Sequence, residues 1–119
     1  MGRPVTHWQI LAKDIGKQAV FYGTLFDWAI TADDAIGYRQ VDTRSDRGIP
    51  GGFWPAGPQG QAFVQLFVEV DDVAACVVQA TALGASVVVP PTALPEGATL
   101  AVLRDPEGVP FGLTSPPHP

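Results

Sequence analysis

The chain has 119 residues, of which 46% are hydrophobic, and a net charge of −5 from seven Lys and Arg against twelve Asp and Glu. That is enough chain for one compact domain with a core, too few basic residues for a nucleic-acid footprint, and an acidic balance that disfavours an anionic membrane. The single cysteine, Cys76, excludes an internal disulfide, no apolar run reaches spanning length and no charged-then-apolar leader precedes Val5, so the sequence predicts a cytoplasmic protein. Domains this small often associate, and a homodimer is expected.

The first predicted element is a half-buried strand, Val5 to Leu11, in which polar and apolar residues alternate. Asp14 then offers a carboxylate at the start of a helix that runs to about Phe26, with Ala19, Val20, Tyr22, Gly23 and Phe26 at helical spacing. Phe21, Tyr22, Phe26 and Trp28 are read as core aromatics. Two short strands follow, about Tyr38 to Thr43 and Ile49 to Trp54, joined by the polar turn Arg44-Ser45-Asp46-Arg47-Gly48. Pro55 to Gly60 reads as a connection.

After it comes a strand from Ala62 to Val70, then Asp71-Asp72 opening a helix that Leu83-Gly84 closes. Cys76 lies on this helix beside Val77 and Val78, and is expected to be buried as a small apolar residue. Ser86 to Val89 reads as a strand cut short by Pro90-Pro91. Beyond the loop Thr92 to Gly97, Ala98 to Arg104 and Val109 to Thr114 form a hairpin around Asp105-Pro106-Glu107-Gly108. Ser115 to Pro119 reads as a tail, with His118 solvated in it.

The chain says the same thing twice. The strand-to-helix entry ending at Asp14 recurs at Asp72, 58 residues on, and Gly48, in Ser45-Asp46-Arg47-Gly48-Ile49-Pro50-Gly51-Gly52-Phe53, is matched by Gly108 in Asp105-Pro106-Glu107-Gly108-Val109-Pro110-Phe111-Gly112-Leu113, 60 residues on. Two copies of about sixty residues are too few and too long for a solenoid. Function is then expected where equivalent positions of the two copies face a shared concavity.

This duplicated strand-helix-strand-strand-strand unit, with "THWQILAKD", "AVFYGTLFDW" and the closing "VLRDPEGVPFGL", resembles the vicinal oxygen chelate superfamily of glyoxalase I, bleomycin-resistance proteins and extradiol dioxygenases. In particular it is similar to the small glyoxalase-like proteins abundant in actinobacteria. The resemblance covers Val5 to Thr114. It implies an α+β fold: tandem βαβββ repeats, about 4–58 and 61–115 within a single domain 1–119, forming an incompletely closed eight-stranded barrel-like cup with helices outside.

Metal enzymes of that superfamily place a ligand on the first and last strand of each half. By the motifs those positions are His7 and Gln65, and Gly52 and Gly112, so both carboxylate positions are empty. One imidazole and one neutral amide fall short of the three or so ligands a catalytic divalent ion wants, and Glu69 would lie about 13 Å along the strand from the site. No metal and no cofactor are expected.

Without a metal, the cup becomes a small-molecule pocket with polar points on apolar walls. Strand parity puts His7 and Gln9 on its inner face, with Gln65 and Phe67 as counterparts. The superfamily's pocket parity adds Leu100 and Val102, whose first-half partners are Gln40 and Asp42. Trp54 either stacks on a flat ligand or anchors a rim or dimer interface, and Gly51 and Gly52 imply a close backbone approach or space for a ligand. His7 is either simply hydrogen-bonded in place or a general base or acid oriented by Asp42 or Gln9.

The favoured reading is a metal-independent protein that binds a partly aromatic or apolar small molecule in the cup. The alternative is a glyoxalase-like or dioxygenase-like enzyme (lyase, isomerase or oxygenase) using His7 as metal ligand or general base. A third is an interaction module whose pocket has collapsed.

Overall fold

A computed structural model describes residues 2–32, 37–56 and 60–116, so His118 lies outside the described residues. The chain runs β1 (Val5–Ala12), α1 (Ile15–Phe26), β2 (Ala29–Ile30), β3 (Arg39–Asp42), β4 (Gly51–Pro55), β5 (Phe63–Glu69), α2 (Val73–Ala82), β6 (Ser86–Ala93), β7 (Thr99–Arg104) and β8 (Pro110–Ser115). This is the α+β βαβββ unit twice over. The chain divides into two compact units, His7–Gln65 and Leu66–Pro119 with Met1–Thr6, so the division falls within β1 and β5.

Strand order repeats as well: β2-β3-β4-β1 in the first half and β6-β7-β8-β5 in the second. In both halves the first strand runs parallel to the last, β1 with β4 and β5 with β8, while the remaining neighbours are antiparallel. Because β2 and β6 each have one strand neighbour, the eight strands do not close into a barrel.

Both helices start for the same physical reason. Asp14 accepts a hydrogen bond from the Lys17 amide at 3.0 Å, and Asp72 one from the Ala75 amide at 3.0 Å, so each carboxylate satisfies an orphan N–H of the first turn. Gly84 ends α2 at φ +108°, a conformation only glycine takes cheaply, and the Ala85 amide then reaches back to the Ala80 carbonyl at 3.0 Å.

In the first unit Ile10, Val41 and Phe53 are buried, with Trp8, Ile15, Tyr22, Trp28 and Ile30 packed against them. Val73, Val77, Ala101, Leu103 and Leu113 form the corresponding core beside Val70 in the second unit, and half-buried Cys76 packs against it. Val78, one residue past Val77 and therefore about 100° around the helix, is 72% exposed.

Three expectations need correction. Phe21 and Phe26 are not core: they are 55% and 53% exposed, and of the four aromatics only Tyr22 and Trp28 belong to the buried cluster. Helical spacing places Ala19 and Tyr22 on the sheet side and turns Phe21 about 100° away from Tyr22. Second, Pro90-Pro91 does not end β6, which continues to Ala93. A proline removes a ladder donor, and β6 tolerates the loss because it is an edge strand whose register with β7 shifts between Val87 and Val89 and again between Val89 and Thr92. Third, Ser115 is no tail residue but the buried end of β8.

Candidate functional site

The sheet of the first unit has two unlike faces. Trp8, Ile10, Val41 and Phe53 point to the aromatic cluster packed under α1, and a side chain on Gly51 would collide there with the Trp8 ring. Period-two alternation sends their neighbours His7, Gln9, Gln40, Asp42, Gly52 and Trp54 to the opposite face. Register fixes a row across it, since Gln9 lies beside Gly52 on β1 and β4, and Gln40 beside Gly52 on β3 and β4.

A pair of carboxamides forms the most buried polar feature of that face. Gln9 is 8% exposed and Gln65 4%, and Gln65 Nε2 donates to Gln9 Oε1 at 3.4 Å. Gln65 Oε1 is buried and has no hydrogen-bond partner among the described residues. A buried acceptor without a donor costs about 1–3 kcal/mol, so this oxygen is a charge against the stability of the fold.

His7, two residues before Gln9, is half-buried, and loss of solvent around the ring pushes its pKa below the usual histidine value. Its imidazole is therefore mainly neutral at pH 7. Asp42, the other proposed orienter, lies on an exposed strand position and uses Oδ1 to accept the Arg44 amide at 2.8 Å, closing a local turn at the end of β3.

Neither strand glycine leaves open space. A side chain on Gly52 would collide with the hydroxyl end of Tyr38, and one on Gly112 with the ring of Phe67. The close approach expected of Gly52 is therefore made by the protein's own ring. Tyr38 shares the parity of Gln40 and Asp42, the sequence signal that places it on this face. Its ring also lies 5.7 Å from that of Trp54, so these two aromatics form a half-buried wall beside the carboxamides.

In the second unit the corresponding face is apolar. Phe67, 1% exposed, lies beside Gly112, and Gly112 beside Val102. Leu100, two residues before Val102, is half-buried, while the intervening Ala101 packs into the core with α2.

The donor set does not fit a divalent ion. His7 supplies one imidazole, Gln65 is a neutral amide already engaged with Gln9, and the space above Gly52 and Gly112 is taken by aromatic rings. Among the described residues no three His, Cys, Asp or Glu side chains gather into a set that could hold a metal.

A family model described as glyoxalase-like domain matches residues 8–114. No curated protein matches the sequence. Among solved structures, methylmalonyl-CoA epimerase from Mycobacterium tuberculosis is similar with a TM-score of 0.70 and 14% identity, over 97% of this chain and 88% of that one. A hypothetical protein from Bacillus halodurans C-125 gives a TM-score of 0.70 at 12% identity, over 100% of this chain and 98% of that one. A structure named NAD-dependent benzaldehyde dehydrogenase, from Legionella pneumophila, gives 0.66 at 19% identity, over 92% and 96%. At such identities the likeness is one of fold. With the family model spanning all but the ends of the chain, and with a strand order that repeats in both halves, this protein belongs to the glyoxalase-like domain family of the vicinal oxygen chelate superfamily.

Proposed function

We propose that this protein binds a small, partly aromatic molecule without a metal, and that the unit His7–Gln65 supplies the recognition through Gln9 and Gln65, with His7, Tyr38 and Trp54 beside them. The observation that carries the reading is Gln65 Oε1, a buried acceptor with no donor among the described residues. A ligand N–H or O–H meeting that oxygen recovers free energy the folded protein lacks on its own. Solvent does not reach the oxygen, so binding requires side chains over it to move aside.

The Tyr38–Trp54 wall supports an aromatic ligand, because offset or tilted ring contacts add to area burial. One observation favours an enzymatic variant of this reading: the neutral imidazole of His7 is in the right form for a general base. The dimer expectation is supported by Val20, Phe21 and Leu25, which leave α1 69%, 55% and 59% exposed, and sedimentation equilibrium tests it. Among the described residues no helix is long and apolar enough to cross a membrane.

A thermal-shift panel of neutral aromatic compounds, half of them carrying an amide or hydroxyl donor, tests the proposal. Donor-bearing members are expected to raise the melting temperature of the wild-type protein, and Gln65→Leu to remove the advantage of the donor. Equal shifts from donor-bearing and donor-free members in both proteins would overturn it.

A further inference from the structure

A cavity lies on the other face of the first unit, away from the carboxamides. It is an open cleft of about 390 Å³ between the end of α1 and the loop from β3 to β4, lined by Phe26, Trp28, Thr43, Ser45, Arg47 and Ile49 with Gly48. That volume lies at the small end of ligand sites. Asp27 makes the turn that shapes one wall: its left-handed conformation at φ 57° reverses the chain, and the rings of Phe26 and Trp28 lie 5.2 Å apart.

The aromatic wall is rigidly backed. Trp28 stacks on Tyr22 at 5.6 Å with an angle of 5° between the rings, and lies 5.4 Å from Trp8. Trp8 Nε1 in turn donates to the Ile49 carbonyl at 3.2 Å, which ties the opposite wall to the same cluster. The loop between them is also braced. The Arg44 guanidinium donates to Asp27 Oδ1 at 3.3 Å and the Arg47 amide to Ser45 Oγ at 3.0 Å.

Charge in the cleft is unbalanced. Arg44 is paired with Asp27, whereas the guanidinium of Arg47 has no ion-pair or hydrogen-bond partner among the described residues, not even the neighbouring Asp46. A solitary surface arginine is ordinarily just solvated. Here it stands at the rim of a preformed aromatic cleft, with the hydroxyls of Ser45 and Thr43 beside it, on a chain of net charge −5.

We propose that this cleft binds a small aromatic monocarboxylate, its ring against Phe26 and Trp28 and its carboxylate on Arg47, with the Ser45 hydroxyl as a second donor. Guanidinium and carboxylate match as a two-pronged pair, and the flat ring meets aromatic side chains already fixed in place. The proposal is independent of the carboxamide site, because Trp28 and Gln9 lie on opposite faces of the sheet.

The test is a titration of the ¹⁵N-labelled full chain with phenylacetate and, separately, phenylacetamide, followed by ¹H–¹⁵N correlation spectra. Phenylacetate is expected to shift the Trp28 indole N–H and the Arg47 and Gly48 amides, and to bind about fivefold more tightly than the amide. Arg47→Gln, a change at an exposed position, should leave the remaining spectrum intact and abolish the preference for the acid. Equal affinity for acid and amide in the wild-type protein, a preference that survives Arg47→Gln, or shifts confined to Gln9 and Gln65 would each overturn the proposal.

Discussion

The two halves share a backbone plan and differ in what they hang on it. Across the repeat, Gln9 corresponds to Phe67, Tyr38 to Ala98, Gln40 to Leu100 and Asp42 to Val102, so these polar or hydroxylated side chains of the first half have apolar counterparts in the second. Both last strands carry a glycine at the equivalent place, and in both an aromatic ring lies where its side chain would be. The rings come from different strands. Phe67 is on β5, the first strand of its half, whereas Tyr38 immediately precedes β3, and its counterpart Ala98 is small and buried at 8% exposure. The duplicated frame thus repeats its close backbone approaches, while the carboxamide pair joins Gln9 on the first strand of one copy to Gln65 on the first strand of the other.

The sharpest way to break this comparison is to give each glycine a side chain. Gly112→Ala is expected to cost about 2–3 kcal/mol, because the Phe67 ring it strikes is fully buried and has nowhere to move. Gly52→Ala should cost about 1 kcal/mol, since the hydroxyl end of half-buried Tyr38 can swing outward. Urea unfolding of both variants measures the difference, and equal losses would show that the two rings are equally confined. Combining Gly112→Ala with Phe67→Leu should cost less than the sum of the two single changes.

The turns that precede those glycines offer a smaller contrast. Asp105 Oδ1 accepts the amides of Glu107 and Val109, both at 2.9 Å, while its first-half equivalent Ser45 accepts only the Arg47 amide. Asp105→Ala is expected to lower stability by about 1–2 kcal/mol and Ser45→Ala by about 0.5 kcal/mol, read from unfolding midpoints. A reversed order would mean that the first loop is held by something other than its local hydrogen bond.

The smallest expected effect concerns His7 and its counterpart Gln65. Burial holds the His7 pKa below that of an unfolded histidine, so the unfolded chain binds the extra proton first as pH falls. The neutral ring is unpenalised above about pH 6.5, and stability declines as pH drops from there towards the lowered folded value. His7→Gln, which makes the two halves alike at this position, should lose less stability between pH 7 and pH 5 than wild type. An unchanged difference would show that the ring titrates normally.

Local signals made the frame legible. Asp14 and Asp72 announce helix starts because a short carboxylate caps N–H groups, and the Asp105 turn is written in residues that each have a mechanical role. The repeat made the succession of elements legible, since each half reads as strand, helix and then further strands. What could not be read depends on tertiary neighbours. That β6 runs through Pro90 and Pro91 follows from its lying at a sheet edge, and the exposure of Phe21 and Phe26 from which side of α1 meets the sheet. Within the candidate site, parity puts His7 and Gln9 on one face of β1 and Gln65 hydrogen-bonds to Gln9, but the local turn that engages Asp42 and the Tyr38 ring over Gly52 arise from a side chain's choice among partners.

The central claim is that the unit His7–Gln65 carries a buried carboxamide pair at a cost to stability because the spare oxygen of Gln65 serves a ligand. Denaturant unfolding of the double variant Gln9→Leu with Gln65→Leu, compared with wild type in the absence of any ligand, tests it most directly. Replacing both amides by apolar groups of similar size removes the orphaned acceptor together with its partner, and the variant should be more stable by about 1 kcal/mol. A variant less stable than wild type would contradict the account, since the pair would then be holding the fold together on its own.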